Sequence, residues 1–375
     1  MTDLQQPAVA LVFNSSWYAW NFRRSTLDAI VSQGFRAHVI APEDEAAEKL
    51  SRLPGVDVEN WRLDLYQRNP VREAASLSSL IRKLQHLRPA FVFSFTIKPN
   101  IYAGLACRFL GLRYAPNITG LGMVVGSKGV AAAPVGRLYA YAMSKAEKVF
   151  VQNSHDGDVL KRSGLPDFVE LQRLPGSGVD LDRFGATPMP PREPAVFAFI
   201  GRLQKDKGLI DFIEAARQLR AEDAPARFIV VGSNEHANAS TVSDRQIAAW
   251  RDEGVAVFAG AQDDVRPWLT KAHALVLPSH GGEGTPKTVL EAAASGRLSI
   301  VSNAPGCVDA VMDGETGFVH PARDVKALAE KMRLILDMPQ ERLSEMGKAA
   351  RLLAEERFSE KIVIDAYLGC LPRRA

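Results

Sequence analysis

Four side chains stand at spacings that suit the grip of an anion with hydroxyls on either side. Arg202 and Lys207 lie five positions apart in GRLQKDKGLIDF (201–212), and Glu283 and Glu291 lie eight apart in GGEGTPKTVLEAAASG (281–296). Arginine offers a planar fork of donors and lysine a compact point charge, so the first pair suits a diphosphate. In the second stretch Thr285 is a favourable N-cap and Pro286 suits the first helical position. That places Glu283 in a Gly-rich loop and Glu291 inside a helix, roughly 7.5 Å along its axis. Helix N-termini attract anions through free N–H groups and the helix dipole. Carboxylates repel a diphosphate, so Glu283 and Glu291 are expected to flank it and accept hydrogen bonds from hydroxyls, such as the ribose and hexose of a nucleotide sugar. The competing reading makes all four ordinary surface charges.

Such groups need strand ends to hold them. Apolar runs VALVFN (9–14), RAHVIAP (36–42), AFVFSFT (90–96), RYAPNIT (113–119) and KVFVQN (148–153) alternate with helical patterns. A second series follows: AVFAFIG (195–201), RFIVVG (227–232), VAVFAG (255–260), ALVLPS (274–279) and LSIVSN (298–303). Continuous apolarity predicts strands buried on both faces, and the alternation predicts βαβ units in α/β doubly wound parallel sheets. The Pro-rich ATPMPPREPA (186–195) reads as a linker. The expected organisation is therefore two Rossmann-like domains facing a cleft: an N-terminal domain over 1–185, the linker 186–195, a second domain over 196–355, and a C-terminal helix over 356–375 that crosses back to the first. Both first-pair and second-pair motifs follow strands of the second series, where ligands of open α/β sheets bind.

The 375 residues carry a net charge of +3, too little to argue for nucleic acid. The excess is uneven: up to residue 185 there are 22 Lys+Arg against 17 Asp+Glu. A mildly basic first half suits an anionic membrane surface or simply a solvated one. Cys107, Cys307 and Cys370 are far apart and lack metal-ligand spacing, which predicts a reducing cytoplasm. No stretch reaches the length of a membrane span and no basic leader precedes an apolar one, so any membrane contact is expected to be peripheral.

In the first domain, NSSWYAWNFRRS (14–25) mixes aromatics with polar and cationic groups. Asn14 is expected at a strand's carboxyl end; Trp17 suits a sugar ring or a lipid interface, Asn21 a hydroxyl, and Arg23 a phosphate. The same aromatics would equally suit a helix packed in the core. Lys98 in TIKPN (96–100) could neutralise an acceptor phosphate. ITGLGMVVGSKG (118–129) has the glycines of a mobile loop, with Met123, Val124, Val125 and Lys128 facing a lipid-linked acceptor or buried. The triplets Asp156–Asp158 and Asp180–Asp182 read as a helix start and a turn, and no metal is expected.

E-G-T-P-K-x-x-L-E-A, preceded by VLPS and followed by SNAPGCVDAVMDGETGFV, resembles the C-terminal domain of family 4 retaining glycosyltransferases with the GT-B fold. GRLQKDKG is similar to the family's Arg-x4-Lys turn and GSGVDLDRF to its pre-linker segment. SFTIKPNIYAG with NITGLG looks like a subgroup of bacterial surface-polysaccharide transferases. The resemblance implies a UDP-sugar donor without a metal cofactor. Arg202 and Lys207, beside Gly201, would bind the diphosphate, Glu283 the transferred sugar, Gly284 and Thr285 the sugar-phosphate, and Glu291 the ribose. Asp264 belongs to the loop after the base-binding strand, so backbone at Ala259, Gly260 and Ala261 would meet the base. Catalytic roles fall to Arg202, Lys207 and Glu283. Two departures stand out: Gly282 replaces an arginine common in the family, and Thr119 and Gly120 stand near the family's usual histidine, on the acceptor side. The expected reaction is a retaining, front-face transfer of a hexose or N-acetylhexosamine from a UDP-sugar. The acceptor is a hydroxyl of a lipid-linked sugar or oligosaccharide in O-antigen, capsule or exopolysaccharide synthesis, met in the cytoplasm at the inner membrane. A UDP-sugar 2-epimerase and a catalytically silent nucleotide-sugar binder share this architecture and stay open.

Overall fold

The apolar runs form strands because their residues are buried along nearly the whole length, on both faces at once. In a computed structural model describing residues 6–65, 69–121, 132–234 and 239–373, the chain divides into two units. One comprises Met1–Ser177 with Lys361–Ala375, and the other Gly178–Glu360.

The first unit holds β1 (Ala8–Val12), α1 (Ser16–Ser32), β2 (Arg36–Ala41), α2 (Glu45–Ser51), β3 (Val56–Asn60), α3 (Pro70–Leu87), β4 (Phe91–Phe95) and α4 (Ile97–Leu110). It continues with β5 (Tyr114–Ile118), α5 (Ala132–Met143), β6 (Lys148–Val151), α6 (Ser154–Arg162) and β7 (Glu170–Arg173). Its seven strands run parallel in the order β3-β2-β1-β4-β5-β6-β7. The second unit holds β8 (Ala195–Ile200), α7 (Leu209–Ala221), β9 (Ala226–Val231), α8 (Asp244–Asp252), β10 (Val257–Gly260), α9 (Arg266–Lys271) and β11 (Ala274–Leu277). After these come α10 (Lys287–Ala294), β12 (Leu298–Ser302), β13 (Gly317–His320), α11 (Val325–Asp337) and α12 (Gln340–Leu353). Its six strands are parallel in the order β10-β9-β8-β11-β12-β13. Strands β3, β7 and β13 escaped the sequence reading. Each is a sheet edge, and VDVEN and ELQR carry polar residues where a central strand carries apolar ones.

The Pro-rich segment is not a free linker. The units divide at Ser177/Gly178, and within the second unit residues 181–192 are strapped down by the buried Arg297, the partly buried Arg351 and a histidine. Arg351 Nη1 donates to Phe184 O at 2.8 Å and to Ala294 O at 2.8 Å. Arg297 is fully buried without a carboxylate among its bonded partners; its guanidinium donates to Leu269 O (2.9 Å), Thr187 O (2.9 Å) and Pro188 O (3.0 Å). Burial pushes its pKa down to about 10, since six or so carbonyl dipoles replace water but no opposite charge. His273 accepts from Val196 N–H at Nδ1 (3.0 Å), which leaves Nε2 to donate to Pro190 O (3.1 Å). Proline supplies no N–H of its own, so the strap is held through its carbonyls.

The chain leaves and rejoins the second unit side by side: Val179 N–H donates to Phe358 O (2.8 Å), and Glu360 N–H to Val179 O (3.0 Å). Helix α13 (Glu360–Leu368) then contributes Tyr367 to the core of the first unit. Its ring meets Phe93 (5.2 Å), Phe95 (5.9 Å) and Phe150 (5.0 Å) edge-on, and Asn117 Nδ2 donates to its hydroxyl.

Arg297→Met should cost the second unit on the order of 3 kcal/mol, because several buried carbonyls lose their donor at once. Arg297→Lys should recover only part of this, one ammonium being unable to span the same carbonyls. Urea denaturation of the full chain measures both; a loss below about 1 kcal/mol for Met would contradict the strap.

Candidate active site

In the second sheet the strand order reverses between β8 and β11, and the two charged motifs follow these two strands. Ligands of open α/β sheets settle at the carboxyl ends beside such a reversal. The two loops are bonded to each other there. His280 N–H donates to Asp206 O at 2.8 Å. Gly208 has φ +77°, and a Cβ on it would lie 2.0 Å from Pro278 O, so only glycine permits this approach.

The contact brings Lys207 to Glu283: Nζ lies 2.5 Å from Oε1, with the two side chains only 20% and 10% exposed. Ser279 Oγ lies 2.9 Å from the same Oε1 and 3.1 Å from Asp206 O, and its single proton serves one acceptor at a time. Ser302 Oγ, donating to Ser279 O at 2.5 Å, fixes that residue from beneath. His280 Nε2 meets Asp211 Oδ2 at 2.8 Å, joining the loop to the first turn of α7. Ser279, Ser302 and Asp211 were not singled out from the sequence, although Ser279 closes the motif VLPS. Arg202 is exposed on the same turn and has no ion-pair partner among the described residues. Gly201, at φ +158°, is close to extended backbone.

Thr285 and Pro286 depart from expectation. Pro286 has ψ 119°, an extended residue, so it occupies the cap position and α10 begins at Lys287. Thr285 is a buried loop residue, beside buried Gly284. Neither α10 nor α7, which follows Gly208, carries a side-chain cap bond.

Glu291 is the fifth residue of α10 and 8% exposed. Burial pushes its carboxyl up to about 7, with the Lys287 and Arg183 charges opposing and Asp264 reinforcing. Asp264 is itself held below the usual carboxylate range by Arg266, whose Nη2 lies 2.7 Å from Oδ2. The end of β10 therefore serves the same region as Glu291. There Ala259 O accepts from Gln262 Nε2 (2.9 Å), Gly260 has φ +73°, and Gly260 and Ala261 are exposed. Gly282, where relatives of the resembling family carry arginine, has φ +77°. An L side chain there would be strained, so the missing cation is written into the backbone.

The acceptor-side residues of the first unit do not form one group. Asn14 lies two residues past β1, with a buried Oδ1 that has no hydrogen-bond partner among the described residues. Trp17 is 49% exposed, and Asn21 Nδ2 bonds Trp17 O (3.0 Å) along α1. Arg23, expected as a phosphate ligand, is 1% exposed, and its Nε and Nη2 have no hydrogen-bond partner among the described residues. It belongs to the buried face of α1 with Ser16, Ala19, Thr26, Leu27 and Ile30, and its guanidinium lies 4.9 Å from the Phe95 ring and 5.6 Å from Tyr367. Lys98 is likewise committed, bonding Glu73 Oε1 and Asp64 O, both at 2.8 Å. Thr119 touches the Tyr18 hydroxyl, and Gly120 turns the chain at φ +108°. Lys128, with Met123, Val124 and Val125, lies outside the described residues. Asp156 starts α6, bonded to Asn153 Nδ2 (2.9 Å), and Asp180 Oδ1 accepts from the N–H groups of Asp182 (3.0 Å) and Arg183 (2.9 Å). Among the described residues no three His, Cys, Asp or Glu side chains gather as a metal site.

The raised carboxyl of Glu291 implies a stability cost that appears as pH climbs from the unfolded value near 4.5 to about 7. Glu291→Gln should therefore stabilise the chain by about 3 kcal/mol at pH 8 and hardly at all at pH 4. Thermal melts at both pH values decide this; equal effects would mean that the carboxyl titrates normally.

Comparison with known proteins agrees with this layout. Residues 8–153 match the glycosyl transferase 4-like family and residues 194–338 the glycosyl transferases group 1 family. The N,N'-diacetylbacillosaminyl-diphospho-undecaprenol alpha-1,3-N-acetylgalactosaminyltransferase of Campylobacter jejuni is 26% identical over 371 residues, 94% of this chain and 95% of the relative. The capsular polysaccharide biosynthesis glycosyltransferase CapM of Staphylococcus aureus is 30% identical over 169 residues, 45% of this chain and 43% of that protein. The structure of Anabaena HepE in complex with UDP-glucose superposes with a TM-score of 0.76 at 15% identity, over 98% of this chain and 100% of that one. With two parallel Rossmann-like units and both halves matched, the chain belongs to the family 4 glycosyltransferases of the GT-B fold.

Proposed function

We propose that this glycosyltransferase moves a hexose or N-acetylhexosamine from a UDP-sugar to a hydroxyl of a lipid-linked saccharide, with retention, in bacterial surface-polysaccharide synthesis. The observation that carries the reading is the Lys207–Glu283 pair at the sheet's reversal, beside two helix N-termini that lack side-chain caps. The relative that acts on a diphospho-undecaprenol saccharide supports the acceptor class, and the neighbour crystallised with UDP-glucose supports the donor. On this reading the acceptor is met by peripheral contact at the cytoplasmic face of the inner membrane; no helix among the described residues is long and apolar enough to cross a membrane.

On this reading Arg202, Lys207 and the N-termini of α7 and α10 meet the charge that grows on the departing diphosphate, and no metal is needed. A diphosphate drawing Lys207 toward itself releases Glu283, which Ser279 still steadies, to accept from a hydroxyl of the transferred sugar. Glu291 would take the ribose hydroxyls, and the backbone of Ala259, Gly260 and Ala261 the base. The acceptor hydroxyl attacks the anomeric carbon from the side that the diphosphate leaves, and its proton passes to the leaving phosphate oxygen.

Incubation with radiolabelled nucleotide sugars and a bacterial membrane-lipid extract tests this: label should move into lipid with a UDP-sugar only. Free epimerised nucleotide sugar without an acceptor would replace the reading with epimerisation, and tight UDP binding without any product would leave a silent binder. Lys207→Ala should lower kcat a hundredfold or more; near-normal turnover would remove the diphosphate role.

A further inference from the structure

A cavity of about 860 Å³ lies in the first unit, where Pro42 follows β2, Asn60 ends β3 and Trp61 to Asp64 follow it, flanked by α3 from Arg72 to Lys83. It too sits at the carboxyl ends of parallel strands. Its lining mixes charges: four cations, Arg62, Arg72, Arg82 and Lys83, stand against three acids, Glu43, Asp64 and Glu73. Glu43 accepts from Asn60 Nδ2 at 3.0 Å, and Glu73 is paired with Lys98 at 2.8 Å. Of the cations, Lys83 is held by Glu59 at 2.5 Å, just beyond the lining. Arg62, Arg72 and Arg82 remain: all three line the cavity, all are exposed, and none has an ion-pair partner among the described residues. Arg72 stands in the first turn of α3, whose N-terminus adds positive potential. Three uncommitted guanidinia around one concave surface suit the several oxygens of a diphosphate, which arginine forks bind in bidentate fashion.

We propose that this cavity binds a diphosphate through Arg62, Arg72 and Arg82, and that its natural occupant is the diphosphate of the lipid-linked acceptor. The second clause rests on the proposed function; the first does not.

Calorimetric titration with inorganic pyrophosphate, at saturating UDP to fill the second unit, separates the two. Because the three side chains are exposed, the triple variant R62A/R72A/R82A should keep its circular dichroism spectrum. It should bind pyrophosphate at least tenfold more weakly, with unchanged UDP affinity, while R62K/R72K/R82K recovers only part of the affinity, an ammonium being unable to bind in bidentate fashion. Equal pyrophosphate affinity in wild type and the alanine variant would overturn the site, whether or not UDP binds. For the occupant, transfer is compared with a saccharide on a short prenyl diphosphate and the same saccharide on a neutral octyl aglycone. The alanine variant should raise KM at least tenfold for the first alone. Equal effects on both acceptors would overturn the acceptor assignment, as would loss of sedimentation with phosphatidylglycerol vesicles in place of the KM effect, which would give the cavity to bilayer headgroups.

Discussion

A parallel strand buried on both faces cannot turn back into its neighbour; it has to cross the sheet through a helix and re-enter in the same direction. Everything of chemical interest in this chain follows from that constraint. All strand ends of a unit collect on one edge, most of them followed by a loop and the N-terminus of a helix. In the second unit the reversal of strand order between β8 and β11 separates two successive helices, so the loops after these strands become neighbours despite some seventy intervening residues. The Lys207–Glu283 pair is a consequence of that adjacency, and so is the demand for glycine at 208.

Charge is placed in three distinct ways. Lys207 and Glu283 face each other, nearly out of water, where a bonded pair is sustained but each partner alone would be costly. Glu291 is buried beside cations that only partly offset its desolvation, so it sits at the boundary between acid and carboxylate. Arg297 and Arg23 carry their charge inward and meet carbonyl dipoles or ring faces instead of carboxylates. The first two arrangements respond to an incoming anion or hydroxyl. The third fixes architecture: Arg297 secures the strap on the second unit, and Arg23 lies over the aromatic cluster that Tyr367 completes in the first.

The ten strands found in the sequence are those with predominantly apolar runs. Strands β3 and β7 were invisible because VDVEN and ELQR break the apolar run with polar residues, whereas the edge strand β10 keeps an apolar run and was found. Pro286 illustrates a limit of local rules: its φ suits both a first helical residue and a cap, and only ψ, set by the packing of Thr285 and Gly284, separates the two. Arg23 illustrates the opposite case, since its spacing from Ala19, Leu27 and Ile30 already put it on the helix's apolar stripe. Chemical type suggested a phosphate ligand, and periodicity a place on the buried face, where Arg23 lies.

By itself the sequence determined the α/β class, the presence of two sheets, and the membership of Arg202, Lys207, Glu283 and Glu291 in motifs at strand ends, because burial and turn chemistry are local properties of the chain. Tertiary structure alone decided which of these charges meet. Pairing Lys207 with Glu283, engaging Lys98 with Glu73, and turning ATPMPPREPA from a linker into a strap all depend on contacts between residues distant in sequence. Such contacts are set by strand order and helix packing, which no spacing along the chain encodes.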